Sequence, residues 1–415
     1  MSGSLTKGCV RVRVVQVNCV YRKGSTGKIV YDLHTAYEAR GIESFVCYGR
    51  GERVEEAHVY KTATEVISKG YNLLSRVTGM PYGGNLFSTA HLIRRIRRIR
   101  PDVVHLHCIN GFFVNIYRLL AWLKKAGIPT VLTLHAEFMH TGSCAYALDC
   151  EKWREATGCS RCPQLREATG SLLLDRTHTA WRRMRRAFRG FERLTVVSVS
   201  PWLKERAEQS TILKGKDHAC VLNGIDTQDV FHYRDTQSLR HSLGLQGRPV
   251  VLYVTAAFTA FKGADHVLAL ARRMPEVTFL VVGNRTDIGE HPQNVVPMGR
   301  VEDQVMLARY YAMADVTLLT SKKETFSMVC AESLSCGTPV VGFEAGAPET
   351  ISLPTYSAFC PYGDVEALEG LLSQALARSS DQDKAQISRE AAAVYGKEAM
   401  CDGYLRIYKG LLDHE

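Results

Sequence analysis

Residues 316–342 constrain the fold of this 415-residue chain more than any other stretch. Val316-Thr317-Leu318-Leu319-Thr320 is a short β-branched, apolar run of the kind that lies buried on both faces in a parallel sheet. A loop and the start of a helix follow over residues 322–332. Gly337-Thr338-Pro339 stops the helix, and Val340-Val341-Gly342 is a second apolar run. Strand, loop, helix, glycine stop and strand make a βαβ unit, so the chain is predicted to be α/β with a parallel sheet. Glu324 then falls in the loop at the carboxyl end of the strand, where open α/β sheets bind ligands. Glu332 falls about 8 Å along the helix, at ~1.5 Å per residue. The amides around Thr325, Phe326, Ser327 and Met328 stand at the helix start, where they lack intrahelical acceptors and lie at the positive end of the dipole. They therefore predict a diphosphate cradle. One carboxylate on each side of a diphosphate suits a nucleotide sugar, with ribose hydroxyls at one and hexose hydroxyls at the other. Two glutamates eight apart also occur as solvated helix-end acids, and the spacing alone leaves both readings open.

The length predicts two domains, each able to bury an apolar core. No apolar run approaches the ~18 residues of a membrane-spanning helix, and the N-terminus has no secretory signal. Thirteen cysteines, an odd number, point to a reducing compartment and a cytoplasmic protein. The net charge of +10 is concentrated in two stretches, Arg94 to Arg100 and Arg182 to Arg189. They read either as solvated helix faces or as attraction to an anionic membrane surface or a lipid diphosphate. No aromatic ladder or nucleic-acid motif accompanies them, which argues against nucleic acid.

Taken in order, Val12 to Val17 is a first strand, and the turn Gly24-Ser25-Thr26-Gly27-Lys28 follows. Its glycines are not spaced as in the dinucleotide fingerprint or a P-loop. Gly24 and Gly27 would let backbone approach a ligand beside Ser25, with Lys28 opening the next helix; an ordinary strand-to-helix turn would look the same. Strands ending at His107 and His135 are predicted over 101–107 and 129–135, which places the two histidines in register at one end of a parallel sheet. Cys144, Cys150, Cys159 and Cys162 then crowd one loop. In a reducing compartment they read as a tetrahedral structural zinc site, with unpaired buried thiols or disulfides as alternatives. Ser200-Pro201 predicts a helix cap with Pro at the first helical position. The second domain begins at Pro249, after a polar linker over 232–248. Lys262-Gly263 closes the loop that follows its first strand, and Met298-Gly299-Arg300-Val301 is read as a loop able to carry Arg300 toward the site.

Glu324 and Glu332, with Gly337-Thr338-Pro339-Val340-Val341 and Gly346-Ala347-Pro348-Glu349, resemble the nucleotide-binding half of family-4 retaining glycosyltransferases of GT-B fold, and nearest among them the bacterial capsule and exopolysaccharide (colanic-acid-type) enzymes. The resemblance implies two Rossmann-like doubly wound domains facing a central cleft: 1–232 for the acceptor, with its Cys-rich loop at 140–165, and 233–395 for the nucleotide sugar. Residues 396–415 would form a C-terminal helix crossing back to the first domain, although the sequence itself shows only helical periodicity there. It further implies transfer of a hexose from a UDP- or GDP-sugar to a hydroxyl of a growing, lipid-linked glycan with retention of configuration and no catalytic metal. The enzyme would be peripheral on the inner face of a bacterial membrane. In this resemblance His135 faces the donor sugar, Lys262 meets the diphosphate, and His107 and Asn110 lie toward the acceptor. Two side chains depart from the pattern: Ala257 stands where an Arg is common, and Ala136 where an Asp is usual. These departures favour a catalytically silent nucleotide-sugar-binding subunit as one alternative. A sugar-nucleotide epimerase of the same fold is another. A glycosidase would need a carboxylate pair and no diphosphate cradle.

Overall fold

The computed structural model describes residues 12–283, 288–378 and 381–413. The chain divides into two compact units. One runs to Val221 and resumes at Cys401; the other is Leu222–Met400. The first division thus falls ahead of residue 232, and the segment read as a linker belongs to the second unit. It carries a short helix, Gln237–Ser242, whose Arg240 forks onto Asp315 at 3.1 and 2.8 Å.

The first unit holds β1 (Arg13–Asn18), β2 (Glu43–Tyr48), β3 (Val59–Lys61), β4 (Val103–Leu106), β5 (Thr130–Leu134), β6 (Leu194–Ser198) and β7 (Asp217–Cys220) in the order β3-β2-β1-β4-β5-β6-β7. Every pairing is parallel. β4, β5 and β6 are buried along their whole length, as the unbroken apolar runs require. The covering helices are amphipathic: Ile116–Ala126 buries Ile116, Leu119, Leu120 and Leu123 at the 3.6-residue period. It starts at an Asn115 side-chain cap and ends at the left-handed Gly127. The Ser200 cap and Pro201 are as the sequence predicts. Strands β3 and β7 escape sequence reading because they are short edges, partly polar and partly exposed, and so carry no buried run.

The second unit repeats the plan with β8 (Val250–Thr255), β9 (Thr278–Gly283), β10 (Val295–Gly299), β11 (Val316–Leu319), β12 (Val340–Phe343) and β13 (Ser357–Cys360). Their order is β10-β9-β8-β11-β12-β13, all parallel. The segment read as a loop at 298–301 is in part the end of β10, which pairs with β9 through a bulge at Pro297/Gly299. In each sheet the strand order reverses once, between β1 and β4 and between β8 and β11. Crevices outside the carboxyl ends at such reversals are where open α/β sheets take their ligands.

From Cys401 the last helix, Lys397–Asp413, is part of the first unit. Tyr404 and Tyr408 are fully buried there. Tyr404 Oη lies 3.0 Å from Thr133 Oγ1, and Tyr408 Oη lies 3.1 Å from Tyr37 Oη. Sequence periodicity fixed the helix; its burial against β5 and the first helix is a tertiary fact.

Candidate active site

The second unit's switch point is assembled from the loops that leave β8 and β11. After β8 the chain makes a 3-10 turn, Ala260–Lys262, capped by Thr259. This loop is pinned to the end of β11. Tyr253 Oη and Thr320 Oγ1 both donate to the Lys262 carbonyl, at 2.6 and 3.0 Å, and the Lys322 amide donates to the Phe261 carbonyl at 2.9 Å. Gly263 sits in the left-handed region at φ +76°, and a Cβ there would come within 2.1 Å of the Thr320 carbonyl oxygen. Only glycine fits. The result is that Lys262 Nζ meets Glu324 Oε1 at 2.6 Å, both side chains largely but not wholly buried.

Glu324 is held from behind. Its amide donates to Ala345 O (2.9 Å), and its carbonyl accepts from the Ala347 amide (3.2 Å). The turn it pairs with is shaped by Glu349, whose carboxylate accepts the amides of Gly346 (2.7 Å) and Ala345 (3.1 Å). Thr325 and Phe326 are buried in the connection. Ser327 is the cap of helix Met328–Ser335, at φ +77°, and its Oγ accepts from the Cys330 amide (3.3 Å). Helix geometry leaves the amides of Met328 and Val329 without intrahelical acceptors at that end. Glu332 lies one turn on, where Tyr311 Oη donates to its Oε2 at 3.0 Å. Burial first, and then the Glu332 carboxylate, push the Tyr311 phenol well above its usual range, so it stays a donor. Nothing in the spacing of Tyr311 advertises that role. Arg300 is past the end of β10 and pairs with Glu302 at 3.2 Å, its side chain mostly in solvent.

At the first unit's switch point the strand ends carry amides, thiols and imidazoles. Asn18, at the end of β1, accepts the Cys108 amide (3.0 Å) and donates to Val20 O (2.8 Å), tying the loops after β1 and β4 together. Asn110 accepts from the Cys108 thiol at 3.1 Å. The next helix begins at Gly24, not at Lys28, so Gly24, Ser25, Gly27 and Lys28 all belong to its opening turns. Gly27 packs against Val20 and the Arg22 amide, which explains its missing side chain without a ligand.

His107 and His135 do come together, with Nδ1 to Nε2 at 3.4 Å and the rings stacked at 5.6 Å. They are not in register, however. β4 and β5 pair His105 with Val131, so His135 stands further along its strand than His107 does. A third histidine joins them. His105, two residues before His107 and so on the same face of β4, stacks on it at 3.8 Å. His105 Nδ1 is 2.6 Å from Tyr408 Oη, and its Nε2 is 2.7 Å from Thr133 Oγ1. Burial lowers all three imidazoles, His135 to about 4 and the other two well below their ordinary value, with the neighbouring rings adding to the effect for His105 and His107. At neutral pH the array donates and accepts hydrogen bonds without carrying charge.

Cys144, Cys150, Cys159 and Cys162 are free thiols in this structure, with no disulfide among them. Among the described residues no group of three or more His, Cys, Asp or Glu side chains stands where it could hold a metal ion. Burial, and then the Glu137 carboxylate and the neighbouring thiols, raise Cys144 to about 12; burial and the neighbouring thiols raise Cys159 as well, and the Cys159 thiol donates to Thr141 O at 3.2 Å. The loop is ordered instead by a buried carboxylate two residues after His135. Glu137 accepts from Arg206 Nε and from the Ala147 amide, both at 2.7 Å. The Arg206 guanidinium lies over Trp153 and Trp202, 4.7 and 4.9 Å from the ring centroids. Burial alone would raise the Glu137 carboxyl; His140, Arg206 and the Ala147 amide together hold it low.

Over residues 26–229 the chain matches the model of Glycosyltransferase Family 4, and over 248–378 that of Glycosyl transferases group 1. It is 24% identical to the Escherichia coli (strain K12) protein named for colanic acid biosynthesis, the glycosyl transferase WcaC, covering 96% of this chain and 100% of that one. It is 26% identical to a GDP-mannose-dependent alpha-mannosyltransferase of Mycobacterium tuberculosis, covering 86% and 85%. Similar solved structures include Anabaena HepE in complex with UDP-glucose (TM-score 0.62, 15% identity, 96% of this chain and 100% of that one). WaaG, a glycosyltransferase of lipopolysaccharide biosynthesis, is similar at TM-score 0.65 and 16% identity, with the same coverage. At these identities the structures speak to the fold: two parallel-sheet, Rossmann-like units of GT-B type.

Proposed function

We propose that this chain, which belongs to the family-4 glycosyltransferases, moves a hexose from a UDP- or GDP-sugar to a hydroxyl of a growing, lipid-linked polysaccharide, with retention of configuration. The observation that carries the reading is the Lys262–Glu324 pair, 2.6 Å apart, beside the start of helix Met328–Ser335 at a strand-order reversal. A leaving diphosphate gains negative charge as its bond to the sugar breaks. Lys262 and the helix-start amides are donors aimed at such charge. Glu332, steadied by Tyr311, suits the ribose hydroxyls, and Glu324 the hexose. A neutral His135 suits a sugar hydroxyl, and His107 with Asn110 the acceptor side. In same-face transfer the acceptor oxygen attacks the anomeric carbon, the bonding pair leaves with the diphosphate, and a diphosphate oxygen takes the acceptor proton.

Two related proteins supply the donor alternatives: one is named as GDP-mannose-dependent, and one was solved with UDP-glucose. Thermal stabilisation by a panel of nucleotide sugars separates them, since a ligand at 100 times its Kd adds about 2.7 kcal/mol. The stabilising donor should then be consumed when extracted lipid-linked glycan is added. Tight donor binding with no transfer to any acceptor in that pool would favour the silent subunit suggested by Ala136 and Ala257. Release of a free or epimerised sugar without acceptor would favour the epimerase.

A further inference from the structure

The helix Glu65–Thr78 is inside out. Its two buried residues are Ser68 and Ser75, while Val66, Ile67, Leu73, Leu74 and Val77 are exposed. At about 100° per residue these apolar side chains form one stripe roughly 120° wide, with Lys69 and Arg76 along its edge. Two further apolar groups adjoin it. The Leu172 amide donates to Arg76 O at 2.8 Å, which sets Leu172, Leu173 and Leu174 against the end of the helix. On the other side the Tyr71 ring packs over Gly84, which brings Leu86 and Phe87 close by. Phe87 is 83% exposed, Val66 81%, Leu173 72% and Leu73 66%. Scattered apolar surface is ordinary; a joined patch of this kind marks an interaction site.

Charge identifies the occupant. No acidic residue occurs between Val66 and Arg100, a span that holds Lys69, Arg76, Arg94, Arg95, Arg97 and Arg98. On helix Leu86–Ile99 the exposed line continues from Phe87 through His91, Arg94 and Arg98. Beside the inverted helix, a groove of about 270 Å³ lined by Tyr71, Leu74, Met80 and Phe112 has Arg176 and Arg183 at its edge. A second copy of the chain would set these cations against one another. An anionic bilayer answers both features, acyl chains for the stripe and headgroup phosphates for the arginines.

We propose that the stripe of helix Glu65–Thr78, with Leu172–Leu174 and Phe87, inserts into the interface of an anionic phospholipid bilayer. The inference draws its purpose from the lipid-linked acceptor reading. Its test needs neither donor nor acceptor, so either can fail alone. The full chain is sedimented with vesicles of phosphatidylcholine, with or without phosphatidylglycerol. Binding should favour the anionic vesicles by about tenfold or more, and Leu73→Ser with Leu173→Ser should lower it by a similar factor. Both positions face outward, so circular dichroism and Tm should not change. Phe87→Trp should shift its emission to the blue and be quenched by brominated acyl chains only when the anionic vesicles are present. Arg94→Glu with Arg98→Glu should abolish the preference for anionic lipid. Failure of the unmodified chain to bind anionic vesicles, unchanged Trp emission, or unchanged binding by the serine variant would each overturn the proposal. So would a dimer in solution that the serine variant breaks, which would make the patch a contact between copies.

Discussion

At the β8/β11 reversal the titratable groups form a short ion pair, Lys262 with Glu324, and a carboxylate, Glu332, held by a phenol. At the β1/β4 reversal the strand ends carry three imidazoles whose pKa values burial lowers. Two sheets with the same winding thus present different titratable groups at equivalent strand ends. The difference follows from what stands behind each end. In the second unit a helix start and a pinned loop bring unpaired amides and a cation to the surface. In the first, Tyr408 of the terminal helix bonds His105 inside the core, where His105 and His107 are fully buried. On the proposed function, the donor diphosphate is assigned to the former and sugar hydroxyls to the latter.

The comparison breaks most visibly at Lys262. Lys262→Ala should lower kcat by about 10²–10³, the cost of removing one preorganised donor from a developing charge, while nucleotide affinity falls much less. A loss confined to KM, measured on initial rates, would move Lys262 from the leaving group to ground-state binding.

Glu332→Ala should weaken binding of the nucleoside diphosphate and of the nucleotide sugar alike, by roughly 1.5–3 kcal/mol for lost hydrogen bonds to a charged group. Calorimetry decides it, and unchanged affinity would remove Glu332 from the site. Leaving Tyr311 in place keeps a buried phenol without its acceptor, so Tyr311→Phe with Glu332→Ala should be more stable than Glu332→Ala alone.

On the imidazole side, Tyr408→Phe strips the partner from His105 Nδ1 inside the core and should cost about 1–3 kcal/mol of stability. Thermal unfolding measures this. Donor affinity should stay unchanged, because the second unit's contacts are untouched.

The smallest effect expected is on pH. A histidine whose folded pKa lies below its unfolded value of about 6.5 binds fewer protons folded than unfolded across that gap. For His135 the gap runs from there down to about 4. Stability should therefore be full above pH ~6.5 and decline as pH falls toward 4, and His135→Asn should flatten part of that decline in a Tm series. An acid slope no shallower in the variant would mean that His135 titrates normally.

Much of this was legible in residue order. The apolar runs named most of the strands, Ser200-Pro201 bounded its helix, and Glu324 and Glu332 were singled out from their places in the βαβ pattern, while the family resemblance pointed to Lys262. These signals are local: each rests on periodicity or on a cap within a few residues. For the four cysteines, spacing reports only that the thiols are near in sequence; whether their sulfurs point at one centre is a tertiary matter, and among the described residues no such metal-holding group stands out. His105, Tyr311, Glu137 with Arg206, and Tyr408 left no trace in local spacing. Their partners lie 28 residues away for His105 with Thr133, 21 for Tyr311 with Glu332, 69 for Glu137 with Arg206, and 303 for Tyr408 with His105. The inverted helix shows the same limit from the other side, since only the tertiary structure sets which way its apolar stripe turns. The sequence by itself determined most of the elements and the parallel-sheet class. Tertiary structure decided which polar groups are buried together, because desolvation and long-range pairing act only once the strands have set distant residues side by side.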